Sequence, residues 1–242
     1  MKKIIILIFS IFTYASIFSQ QNFSGIVHYE STISSKKLDE YLSTKRKNIK
    51  NKTLIKSLDQ VYLYTKAIKS KLTFSNREGL FIVEDKLSSD IHDLGQRINK
   101  TSAGGSNEYY YNDTNKTYLI KEFSIGEHFI YTNNYLKWEL TQETRTMNGY
   151  VTNKATRNKG KVIAWYTPSI PVSFGPKGEY GLPGLILELE IYKKIYFVKK
   201  IVLNPKEKIE IKKPIKGIKV TEKEYQEVAS STIQKFKKNQ GY

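Results

Sequence analysis

The chain has 242 residues, no cysteine, three histidines and a formal net charge of +17. The absent thiols exclude disulfides, cysteine-ligated metals and cysteine nucleophiles. The excess positive charge draws anionic partners such as lipid headgroups, lipopolysaccharide, acidic glycans or a negative protein face, and it serves plain solubility equally well.

Lys2 and Lys3 precede an apolar run from Ile4 to Ala15, and Ile17-Phe18-Ser19 leads to a cleavage point before Gln20 or Gln21. The run falls short of the roughly 20 residues a membrane-spanning helix needs, and no stop-transfer pattern follows. Residues 1–19 are expected to form a cleaved signal peptide and residues 20–242 a single domain, with an uncleaved anchor as the alternative. That domain is expected in the periplasm or associated with the outer membrane. No cysteine follows the run, which closes the acyl-lipoprotein route, and export removes nucleic acid as a partner. About 220 residues are enough for one domain with a sizeable core.

Eighteen tyrosines and an aromatic content of 13% favour strands, because flat amphipathic rings pack well on half-wet pleated surfaces. Ser24 to Ile33 alternates as a strand does. From Lys36 to Leu58 the period turns helical through Leu38, Tyr41, Leu42, Ile49 and Ile55. Eight basic residues on this segment face only Asp39 and Glu40. Lys45, Arg46, Lys47 and Lys50 are the patch expected to meet an anionic envelope surface; a helix that simply solvates its lysines is the competing reading. Strands are predicted at 71–75, 79–84, 108–111, 118–123, 128–131, 136–141, 149–156 and 161–166. Turn residues such as Asn112-Asp113-Thr114-Asn115 separate them, which reads as an antiparallel meander. The polar stretch 86–107, with Gly104-Gly105, is predicted to be a mobile loop.

Beyond Gly184, Leu185, Leu187, Leu189 and Ile191 are predicted to share one strand face. Ile186, Glu188, Glu190 and Tyr192 share the other. The returning strand, Tyr196 to Leu203, would set Lys199 or Lys200 against the glutamates. Thr221 with Glu224 forms a capping box, and Tyr225, Val228, Ala229, Thr232, Ile233 and Phe236 make the apolar stripe of a terminal helix.

Sites of chemistry are sparse. His28, His92 and His128 lack partners at metal-ligand spacing. No serine sits in a Gly-x-Ser-x-Gly elbow, and Gly104-Gly105-Ser106 is followed by no helix. Phosphate-cradling glycine loops are missing. Glu188 and Glu190 read as a solvated ion-pair face rather than an acid/base pair. The expectation is no catalytic residue, no metal and no cofactor.

Between Trp165 and Ile186 the chain concentrates four prolines and four glycines among aromatics. Each proline fixes its own φ and restricts the residue before it, and glycine supplies the unusual dihedrals. The segment therefore specifies one path between two strands. Gly181-Leu182-Pro183-Gly184-Leu185-Ile186 is the name-giving motif of the GLPGLI family of exported Gram-negative proteins, and the chain resembles that family. Lys137-Trp138, Gly149-Tyr150, Lys154-Ala155-Thr156 and Ala164-Trp165-Tyr166-Thr167-Pro168 are similar to its landmarks. The resemblance runs from the first strand to about Leu203, and it implies a signal peptide, a β-rich body and no assigned activity. Family members often carry cysteines near Tyr150 to Arg157; here Thr152 stands in that stretch, so a thiol role is excluded.

The resulting expectation is a mainly β, α+β fold: a single curved antiparallel sheet, half-barrel-like, with flanking helices and a C-terminal helix. Trp165 and Leu182 are expected as core plugs. Trp165, Tyr166, Pro168, Pro171, Gly181, Leu182, Pro183, Gly184, Leu185 and Ile186 form either a structural corner or the rim of a binding surface. The functional expectation is a non-enzymatic envelope module that binds an apolar or amphipathic ligand or an outer-membrane protein. The alternative is a hydrolase of unrecognised type. A cluster of titratable groups in a cleft would favour the enzyme, and an apolar cavity the carrier.

Overall fold

The computed structural model describes residues 23–84, 94–134 and 136–239, with side chains described as far as residue 231. The expected leader, His92, and Thr232, Ile233 and Phe236 of the terminal stripe lie outside the described residues or side chains. The first six strands are β1 (Gly25–Ile33), β2 (Ile68–Ser75), β3 (Glu78–Val83), β4 (Glu108–Asn112), β5 (Thr117–Ser124) and β6 (Glu127–Thr132). They are followed by β7 (Glu139–Met147), β8 (Tyr150–Arg157), β9 (Val162–Thr167), β10 (Leu185–Ile191), β11 (Lys194–Leu203) and β12 (Ile218–Lys219).

All twelve strands form one open sheet in the order β12-β6-β5-β4-β3-β2-β1-β11-β10-β9-β8-β7. Neighbours pair antiparallel except the short β12, which runs parallel to β6. The predicted meander is therefore two meanders, β2 to β6 and β7 to β11, joined through the first strand. β1 pairs with β2 on one side and β11 on the other. The sheet curls: Tyr131 of β6 and Arg157 of β8 line the same cleft although eight strands lie between β6 and β8 in the sheet order.

Where one helix was predicted over Lys36 to Leu58 there are two. The first, α1, runs Ser35–Glu40, continues through a π-helical turn at Tyr41–Lys45 and ends as Arg46–Asn48. Ile49 is extended, at φ −85° and ψ 119°. Asn51 then caps α2 (Lys52–Tyr62), its side chain accepting from the Leu54 N–H at 3.1 Å. Asn at this position satisfies an otherwise orphaned first-turn N–H, so a new helix start competes with continuation.

The loop predicted over 86–107 is corrected in part. Residues Leu94–Ser102 form α3, and the Gly104-Gly105 pair is its stop signal. Gly105 lies at φ 56° and returns its N–H to the Lys100 carbonyl at 2.9 Å, a glycine C-terminal closure. The terminal helix, α4 (Glu222–Asn239), starts on the expected box. The Thr221 N–H donates to Glu224 Oε2 at 2.7 Å and the Glu224 N–H to Thr221 Oγ1 at 3.2 Å. Tyr225 stacks on Tyr131 at 4.7 Å, which docks the helix on β6.

The core fills the concave face. Val27 and Tyr29 of β1, Leu72 and Phe74 of β2, and Ala164 and Tyr166 of β9 point inward at the strand period of two. Leu182 is buried as expected. Trp165 is not a core plug. It sits one residue out of phase with Ala164 and Tyr166, is half-buried on the outer face, and carries the Arg145 guanidinium 3.9 Å above its ring.

The faces of β10 also differ from the expected alternation. A register shift between Ile186 and Glu188 places Ile186 opposite the inward-facing Tyr166, and Leu187 is buried beside it. A bulge of this kind inserts one residue and resets the pleat. Across the hairpin Glu188 faces Phe197 and Glu190 faces Ile195, not lysines. Glu188 pairs instead with Arg145 at 2.6 Å, and Lys199 lies 3.9 Å from Glu30.

Candidate functional site

The segment from Pro168 to Gly184 leaves β9, crosses the concave face and returns to β10. Short backbone bonds set its path: Val172 N–H to Ile170 O at 2.8 Å, Gly181 N–H to Ser173 O at 2.9 Å and Leu185 N–H to Ile170 O at 3.0 Å. Phe174 stacks on Tyr111 at 4.9 Å and Tyr180 on Tyr118 at 3.7 Å, which fastens the crossover to β4 and β5. Within the family motif, Leu182, Gly184, Leu185 and Ile186 are buried while Gly181 and Pro183 are exposed. Tyr166 is buried, and Pro168 and Pro171 are exposed. The sequence-predicted residues thus divide between core and surface and do not converge on one cavity.

What converges is the middle of the crossover, which sequence reasoning did not single out. A 3-10 turn at Pro176–Gly178 holds Lys177 at φ 54°. Tyr111 clamps this turn, its hydroxyl donating to Gly175 O at 2.6 Å and accepting from the Gly178 N–H at 3.0 Å. Asn133 Nδ2 donates to Gly178 O at 2.6 Å. Lys177 and Glu179 are thereby aimed into a cleft of about 410 Å³ between the crossover, β4 to β6 and the β10–β11 turn.

The cleft is polar. Arg157 forms a two-pronged ion pair with Glu179, one contact being Nε to Oε2 at 2.9 Å. Burial pushes the Glu179 carboxyl up, against the pull of Arg157 and Lys177. Lys177 Nζ donates to Ser102 O at 2.7 Å, and burial lowers its ammonium from the usual value. Tyr131 donates to Glu122 Oε2 at 2.8 Å. Burial raises both Tyr131 and Tyr109, so each phenol stays protonated. Asn107, Asn133, Asn134, Glu222 and the exposed Tyr192 add polar wall, and Ile120, Leu136 and Ile191 supply its apolar part. The signal for Lys177 and Glu179 was present: two charges inside an apolar Pro/Gly segment that had to be buried. No local pattern marks Glu122, Tyr131 or Arg157: the first two come from the neighbouring β5 and β6, and Arg157 from β8, far away in the sheet.

The predicted basic patch lies elsewhere. Lys45 pairs with Glu40 at 2.8 Å, and Arg46 grips Asp59 at 2.9 and 3.0 Å. Lys47 and Lys50 are exposed, without a carboxylate partner among the described residues. Between α1 and α2 a groove of about 420 Å³ has Tyr41, Ile49, Leu58 and Tyr62 in its wall and Lys45 and Lys193 on its lining. Among the described residues no group of three His, Asp or Glu side chains is placed to hold a metal. None of the helices among them is long and apolar enough to cross a membrane.

The fold defines a mainly β, α+β protein: an open curled sheet with a rigid Pro/Gly crossover above a polar cleft. Residues 156–188, which carry that crossover, match the GLPGLI-family domain, described as a protein of unknown function (Porph_ging). The architecture is similar to part of PNGF-II solved in space group P21, at 15% identity and a TM-score of 0.50 over 86% of this chain. PNGF-II in space group C2 gives 15% identity and a TM-score of 0.49 over 85%. The chain spans about a third of PNGF-II (33% and 32%), and the likeness concerns the fold alone. A search of curated proteins finds no match.

Proposed function

We propose that the protein is a non-enzymatic envelope binding module whose cleft takes a small, hydroxyl-rich polar ligand of one or two sugar rings in size. The observation that carries this is the convergence of Lys177, Glu122, Tyr109 and Asn107 on a cleft of about 410 Å³, a volume usual for small-ligand sites. Ammonium, carboxylate and amide groups match ligand hydroxyls, and tyrosine faces match C–H surfaces. An apolar cargo would leave these groups desolvated and unpaired. Against hydrolysis, each carboxylate of the cleft already accepts from a protein group, Glu179 from Arg157, Glu122 from Tyr131 and Glu222 from Asn134 and Gln226, whereas acid/base work needs a group free to exchange its proton with substrate. Titration calorimetry with neutral mono- and disaccharides and with fatty acids tests the reading. Saccharide affinity should fall about 10- to 100-fold in Lys177→Met and Glu122→Gln. Fatty-acid binding indifferent to both variants would sink the polar-ligand reading, and turnover of a saccharide would replace it with the hydrolase.

A second reading concerns an exposed basic face that would suit an anionic envelope surface. Leu42, Leu54, Leu63 and Tyr64 are exposed on and after α1 and α2, beside Lys47, Lys50, Lys52 and Lys56. Exposed apolar side chains among lysines suit an anionic membrane surface, each cation contributing at most about 1 kcal/mol. Sedimentation with anionic vesicles should weaken with salt and fall sharply when these four lysines become Gln. Equal sedimentation of the variant, or none by either protein at low salt, removes α1 and α2 as a docking face.

A further inference from the structure

The corner of the sheet where β1, β2 and β11 meet beneath α3 holds an unusual set of buried polar atoms. Ser31 Oγ, Ser34 Oγ, Ser70 Oγ, Asn99 Oδ1 and Lys194 Nζ are all buried with no hydrogen-bond partner among the described residues. Their placement follows from register. Ser31 lies opposite Ile68 on β2 and Tyr196 on β11, while Ser70 lies opposite Tyr29, so the two serines are diagonal neighbours on the inner face. Lys194 lies opposite Ile33 and is the inward residue next to Tyr196 on β11. Ser34 follows Ile33 in extended conformation, its N–H bonded to Lys193 O at 2.9 Å, and so stands one residue out of phase with Ser31. From above, α3 closes the corner: Tyr196 donates to Ala103 O at 2.9 Å, Ala103 packs with Ile68 and Val83, and Asn99 Nδ2 donates to Lys66 O at 2.8 Å.

The geometry points to a buried site for one small monovalent anion, a halide or a formate-sized carboxylate, held by Lys194 Nζ and the hydroxyls of Ser31 and Ser70. Charge argues for an anion over water alone. Lys194 is 3% exposed, and no carboxylate among the described residues pairs with it. Water would satisfy its hydrogen bonds but leave the interior with an uncompensated ammonium. Serine hydroxyls rotate to donate to an anion. Asn99 Oδ1, fixed by the bond of its own amide nitrogen, is left to accept from the ammonium. Burial lowers Lys194 to about 8, and the nearby Lys177 ammonium adds to this; a bound anion would oppose both effects. The site is separate from the cleft, since none of Ser31, Ser70, Asn99 and Lys194 lines that cavity.

The test is thermal unfolding at constant ionic strength as gluconate, too large for the corner, is replaced by chloride or formate. The midpoint should rise saturably by about 3–8 °C. The rise should vanish in Lys194→Met and shrink in Ser31→Ala and Ser70→Ala, but persist in Lys47→Gln, which removes a surface charge only. If Lys194→Met fails to fold, the two serine variants carry the comparison. Equal midpoints in all the salts, or an undiminished rise in the buried variants, would overturn the site. Crystals soaked in bromide give a direct check: an anomalous peak beside Lys194 Nζ supports it, and water alone at that position refutes it.

Discussion

Replacing Gly184 by alanine is expected to destabilise the protein by about 3–6 kcal/mol, combining overpacking with backbone strain. A Cβ there would stand 2.1 Å from the Thr167 carbonyl oxygen and 2.5 Å from its carbon. Those atoms cannot yield, because Thr167 is paired with Leu185 at the first rung between β9 and β10. The residue also sits at φ 155°, where side chains are rarely accommodated. Gly181, in the same motif, provides the contrast. Its φ is 91°, yet no atom lies within 4 Å of the place a Cβ would take, so Gly181→Ala should cost only about 1–2 kcal/mol of conformational strain. Urea unfolding of the pair separates space from dihedral. Equal losses would mean that the close approach of the two strands is not what Gly184 serves.

Arg157→Met should cost about 3–5 kcal/mol at neutral pH, because it strands the Glu179 carboxylate in the interior. The side chain of Glu179 is 4% exposed and has Arg157 as its ion-pair partner. The loss should depend on pH in a predictable sense. Burial already raises the Glu179 carboxyl against the opposing pull of Arg157, and removing the guanidinium raises it further. Over the pH range between the unfolded and folded values the native state holds a proton that the unfolded chain releases. Stability therefore rises as pH falls and is lost as pH climbs through the folded-state value. The variant should follow this slope more steeply than the parent, and Arg157→Met combined with Glu179→Leu should flatten it. A loss independent of pH, or undiminished in the double variant, would show that the pair is not the source of the effect.

The binding consequence is linked to that stability. Glu179 and Lys177 lie two residues apart on the crossover, and the ion pair with Arg157 ties this segment to β8. A loosened pair would let the turn at Pro176–Gly178 drift, since only the bonds from Tyr111, Asn133 and Lys177 then anchor it. Ligand affinity and stability should therefore fall together in Arg157→Met, whereas Lys177→Met should lower affinity with little change in unfolding.

Much of the architecture was legible locally. Strands show themselves by a period of two, and Thr221 with Glu224 announces a helix start whose bonds are local to one turn. The Pro/Gly density between Trp165 and Ile186 determined a rigid crossover, because prolines and glycines restrict dihedrals wherever the segment is placed. Other features depended on partners distant in the chain. The phase of β10 turned on a bulge that brought Ile186 inward, and the phase of β9 put Trp165 outside, both set by pairing between strands. The pairing of Arg46 with Asp59 across two helices halved the expected basic patch together with Lys45 and Glu40. The cleft itself joins Glu122, Tyr131, Arg157, Lys177 and Glu179 only because a twelve-strand sheet curls until its sixth and eighth strands face one cavity. Curvature of that kind is a property of the whole sheet and its packed core, and no short stretch of sequence encodes it.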